Sequence, residues 1–177
     1  SGTDSTDATG NGTASLSAVK ASFTAVTVDD SSTGNGANFN DSGANTYTSN
    51  FTITLDSATP GTSTFSGTTA FAGSHALSLQ SGVVLGNSGS VVSTVDGNLT
   101  LLGNMQTPGQ TGNLFGIFLN NTRVTVSGTG NLTIKGKSGI STSTVAGVKF
   151  FSGTVVTGGT AGSTVTVEGY GAASSTR

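Results

Sequence analysis

A short glycine-bounded motif returns along this chain at a fixed interval. Gly97-Asn98-Leu99-Thr100-Leu101-Leu102-Gly103 recurs as Gly130-Asn131-Leu132-Thr133-Ile134-Lys135-Gly136, and more loosely as Gly162-Ser163-Thr164-Val165-Thr166-Val167-Glu168-Gly169. Leu99, Leu132 and Val165 are each 33 residues apart. Self-similarity at such a period is the mark of a stacked architecture, in which each repeat covers the apolar face of its neighbour. Two further apolar bursts lie between the copies. Gly116-Ile117-Phe118-Leu119 and Arg123-Val124-Thr125-Val126 have counterparts in Gly147-Val148-Lys149-Phe150-Phe151 and Thr154-Val155-Val156, giving three short strands per period. Toward the N-terminus the spacing shortens: Leu77 precedes Leu99 by 22 residues, Ile53 precedes Leu77 by 24, and Val28 precedes Ile53 by 25. The longer periods carry extra loops at 103–113 and 137–146.

Within each burst apolar and polar residues alternate, as in Phe51/Ile53/Leu55 and Val124/Val126. That is the period of a half-buried strand. Helical periodicity is weak throughout; 14–21 is the one candidate, and it lacks caps. The chain is therefore expected to be all-β, a right-handed parallel β-helix with three short strands per coil. Coils in such a solenoid stack about 4.8 Å apart and are joined by backbone hydrogen bonds. Leu77, Leu99, Leu132 and Val165 are expected to form one interior column, and Leu79, Leu101, Ile134 and Val167 a second. By parity Thr100, Thr133 and Thr166 form an outward row, a candidate binding surface, and Lys135 stands beside Glu168. Asn98 and Asn131 are expected to stack at a corner. The competing fold is an antiparallel sandwich, but hairpin turn signals are scarce. Asn11-Gly12 and Asn35-Gly36 lie away from good strand pairs, and only Asp96-Gly97 separates two strand-like runs. Residues 1–48 are expected to be a polar, irregular coil, cap or arm, and 49–177 the repeats.

Composition narrows the function classes. With 6 Lys+Arg against 8 Asp+Glu there is no basic field to draw nucleic acid or an anionic bilayer. No apolar run is long enough to span a membrane. The chain starts at Ser1 with no signal-like stretch, so a processed or excised segment is expected. Cysteine is absent, which removes disulfides and thiolate metal sites and is compatible with secretion.

The string G-N-L-T-ø-x-G, followed by G-ø-x-ø and x-V-T-V-x-G, resembles the rungs of filamentous-haemagglutinin-type exoproteins and autotransporter passenger segments. The likeness covers about 77–171 and is one of repeat style, with no catalytic or receptor motif. It implies a secreted or surface-exposed bacterial β-helical protein that serves adhesion, aggregation or as a stalk. Its partners would be copies of itself or glycans.

The residues offer little catalytic chemistry. His75 is the sole histidine, so a histidine metal cluster is excluded, and by parity it is expected to face inward near a corner as a structural residue. Polysaccharide-cleaving β-helices need clustered carboxylates, whereas only Asp96 and Glu168 occur after Ser57. Asp29 and Asp30 are adjacent and would point to opposite faces of a strand, which disfavours calcium. No catalytic, cofactor-binding or metal-binding residue is expected. The threonine row invites an ice-binding reading, weakened by the want of a second threonine column. Sequons at Asn11, Asn40, Asn50, Asn98, Asn120 and Asn131 leave glycosylation open. The preferred reading is a non-enzymatic structural or adhesive segment that self-associates or continues into a longer stalk.

Overall fold

A computed structural model describes residues 25–29, 38–55, 61–139 and 145–171. The 14–21 segment, Asp30, Asn11-Gly12, Asn35-Gly36 and much of the 137–146 loop lie outside these residues. The described regular structure is entirely strand. The first coil contains β1 (Ala25–Asp29), β2 (Phe39–Asp41) and β3 (Ala44–Tyr47), and the second β4 (Asn50–Leu55), β5 (Thr62–Phe65) and β6 (Thr68–Phe71). The third contains β7 (Leu77–Ser81), β8 (Val83–Gly86) and β9 (Val91–Thr94). The fourth has β10 (Leu99–Gly103), β11 (Ile117–Asn120) and β12 (Arg123–Val126), and the fifth β13 (Leu132–Lys137), β14 (Val148–Phe151) and β15 (Val155–Thr157). β16 (Val165–Tyr170) begins a sixth.

Every third strand joins the same sheet. Sheet I runs β1-β4-β7-β10-β13-β16, sheet II β14-β11-β8-β5-β2 and sheet III β15-β12-β9-β6-β3. All pairings between successive coils are parallel. The fold is a parallel β-helix with three strands per coil. The repeat spacing sets the register: Leu77, Leu99, Leu132 and Val165 are successive partners, as are Leu79, Leu101, Ile134 and Val167.

These columns and their counterparts in the other sheets, Val84/Ile117 and Val92/Val124, fill a narrow interior. Each fully buried aliphatic side chain contributes roughly 1.5–3 kcal/mol. Val165 and Val167 depart from the expected interior columns. They hold the inward register but are 49% and 44% exposed, because β16 is the last strand of its sheet and nothing described covers it. At the other end, β1, β2 and β3 fall within the 1–48 stretch read as irregular, and each pairs in parallel with a strand of the second coil.

Both long loops leave from the same corner, between sheets I and II. The third coil turns there through Gly82 alone, while the fourth inserts 104–116. Glycine at this corner is a packing requirement: a Cβ on Gly103 would lie 2.1 Å from the Gly116 carbonyl oxygen, and one on Gly136 2.2 Å from that of Gly147. The closing glycine of the motif thus marks where the loop leaves its coil, against the backbone through which the loop returns.

Candidate functional surfaces

The carboxylates of the described residues are dispersed, and Asp41, Asp96 and Glu168 are engaged by neighbouring side chains or backbone. Asp41 points into the first coil and is 5% exposed. Its Oδ2 accepts from the Thr69 hydroxyl at 2.7 Å and from the Tyr47 hydroxyl at 3.0 Å, and its Oδ1 from the Asn45 amide. Burial, then the charge of Asp41, pushes the Tyr47 hydroxyl far above its ordinary value. Asp96 sits at a corner and accepts from the Thr129 N–H at 3.0 Å and hydroxyl at 3.2 Å. Glu168 pairs with Lys135 at 3.1 Å and accepts from the Tyr170 hydroxyl, and these two contacts hold its carboxyl below the usual range. Asp29 is exposed on β1. No group of three metal-ligating side chains occurs among the described residues. His75 lies half-buried in the turn between β6 and β7.

The outward row of sheet I is longer than the motif alone reveals. Register places Thr27, Thr52 and Ser78 in line with Thr100, Thr133 and Thr166, six hydroxyls on successive rungs. The position beside it is a corner of side-chain rungs. Asn50 Oδ1 accepts from the Ala76 N–H at 2.9 Å, Asn98 Oδ1 from the Asn131 N–H at 2.9 Å, and Asn131 Oδ1 from the Thr164 N–H at 2.8 Å. Asn98 and Asn131 therefore bond to backbone in the next coil, satisfying donors just outside the strand ladder. On the other side Leu102, Lys135 and Glu168 follow one another and break the regularity.

Sheet II carries what the sequence reading did not single out. Its outward positions include Phe118 and, one coil on, Lys149; beside them stand Asn120 and Phe151. Phe115 joins them from the end of the 104–116 loop. That loop is anchored by buried Asn104, whose amide donates to the Gln110 carbonyl at 3.2 Å and the Ser138 carbonyl at 3.3 Å. Phe118 stacks on Phe115 at 5.6 Å and on Phe151 at 6.2 Å, with interplanar angles of 29° and 27°. The Lys149 ammonium lies over all three rings, at 4.8, 5.8 and 5.7 Å from the Phe115, Phe118 and Phe151 centroids. A sequence signal existed: Phe118 and Phe151 occupy outward parity positions, where sheet I carries its row of Thr and Ser.

No family model, curated protein or solved structure matches this chain.

Proposed function

We propose that the chain is a rigid structural segment of a secreted or surface-exposed β-helical protein, lengthened at its C-terminal end by further coils. Those coils come from another copy in a fibre or from more of a longer stalk. The observation that carries this reading is the uncovered last layer. Val165 and Val167 stand in register over Leu132 and Ile134, which are 0% exposed, yet are themselves about half open, and Phe150 of β14 is 42% exposed at an inward position. β14, β15 and β16 also close their sheets with unpaired edges among the described strands. An open edge with an apolar inner face is a template for strand addition. Dispersal of the described carboxylates supports a scaffold over a hydrolase.

Electron microscopy of the purified chain at micromolar concentration tests it. The expected result is filaments, or short rods, with strands about 4.8 Å apart along the axis. Filaments identify a self-assembling subunit and isolated rods a module of a longer stalk. Val167→Lys places a charge on the inner face and is expected to abolish filaments. Compact particles with no axial repeat overturn the reading.

Ice binding is a second reading, favoured by the six-rung hydroxyl row. Its test is inhibition of ice recrystallisation, lost in Thr100→Tyr. The flanking Leu102, Lys135 and Glu168 make it the weaker of the two.

A further inference from the structure

Large apolar side chains on the outer face of a coil cost solvation without adding to the core, so their clustering asks for an occupant. Phe115 and Phe118 of the fourth coil and Phe151 of the fifth meet on one face of sheet II with their planes nearly parallel. Phe151 is 52% exposed and the other two are half-buried. They form a floor, and the Lys149 ammonium is held over it by the ring quadrupoles. Among the described residues no carboxylate pairs with Lys149; the one ion pair joins Lys135 and Glu168. The cation is thus fixed in place by rings alone, with donor capacity to spare. Asn120, the register partner of Phe151, adds an amide at the edge of the floor.

We propose that this surface binds an acidic polysaccharide. The apolar face of a pyranose ring lies on the exposed rings, led by Phe151, a uronate carboxylate accepts from Lys149, and Asn120 bonds a ring hydroxyl. A sugar acid joins a flat apolar face to a carboxylate, the two features this floor complements. The strands fix Phe118, Lys149 and Phe151 on a stiff sheet, so little conformational freedom is lost on binding. Because the whole chain carries a net charge of −2, a polyanion is not drawn to it at large, and attraction has to be local.

The test is affinity electrophoresis and calorimetry of the full chain with oligogalacturonate, with neutral cello-oligosaccharide and poly-glutamate as comparisons. Oligogalacturonate is expected to bind most tightly. Phe151→Ala and Lys149→Gln are each expected to weaken it by about tenfold, while Lys137→Gln, an exposed lysine on sheet I, leaves it unchanged. All three positions are solvent-accessible, and an unaltered circular dichroism spectrum confirms folding. Absence of oligogalacturonate binding at millimolar concentration overturns the assignment, as does binding that survives both sheet II substitutions. Equal binding of poly-glutamate overturns it in favour of an acidic peptide. Phe151 lies on β14, an edge to which a further coil adds, so binding is read at concentrations where microscopy shows no filaments.

Discussion

Val167 is the direct strand partner of Ile134, and the two have the same inward parity, yet Ile134 is 0% exposed and Val167 44%. Coverage by the next coil is the whole difference. Truncation should expose it: Ile134→Ala is expected to cost about 3 kcal/mol, because a cavity is left in a packed interior. Val167→Ala should cost under about 1 kcal/mol. Chemical denaturation of both variants measures the gap, and equal losses would show that the last layer is covered in solution.

Asn131 links two coils through one oxygen, which accepts from both the Thr164 N–H and hydroxyl, at 2.8 and 2.9 Å. Asn131→Ala is expected to destabilise by about 1 kcal/mol. Hydrogen exchange at the Thr164 amide should accelerate in the variant, while the amides of β7 keep their protection.

The two tyrosines make the alkaline limb legible. Both hydroxyls are held above their ordinary value of 10.0, Tyr47 by burial and then Asp41, Tyr170 by its hydrogen bond to Glu168. A raised folded value means that their contribution to stability is full below about pH 10 and is lost as pH rises beyond it. Ultraviolet titration should therefore show no phenolate step at the ordinary tyrosine position while the chain is folded. A step at pH 10 equal to both tyrosines would contradict the burial of Tyr47 in the first coil.

Glu168 behaves in the opposite sense. Its lowered carboxyl value means that its contribution is present above the unfolded carboxylate range and is lost as pH falls through the folded value. The pair is exposed and screened by salt. Glu168→Gln is expected to flatten the acid limb of the stability profile slightly, at low salt only, and a large change at high salt would contradict this.

Gly136 faces the carbonyl oxygen of Gly147 across the corner between sheets I and II. Gly136→Ala is expected to cost about 2–3 kcal/mol, since backbone has to shift to admit the methyl group. Thermal denaturation checks it, with Gly171→Ala, which meets nothing nearby, as the neutral control.

The coil architecture was legible because it is written twice in the sequence. Alternation put Leu99, Leu101, Leu132 and Ile134 on one face, and the 33-residue spacing put them above one another, so both strand parity and register followed without any structure. The closing glycines, the Lys135–Glu168 pair and the corner loops came from the same arithmetic. The first half of the hydroxyl row was missed because Thr27, Thr52 and Ser78 lie in shorter periods that do not repeat the motif. Asp41 was not singled out by the sequence; only the closure of the first coil around it makes it a buried acceptor. Sequence periodicity determines which side of a strand faces inward, because side chains alternate strictly. The tertiary structure decided what lies next to each side chain across coils: whether the inward face of Val167 is covered, and whether Phe115, Phe118, Phe151 and Lys149 meet. The contacts between coils join residues more than thirty positions apart through loops of unequal length, and no local pattern encodes where such loops bring the chain back.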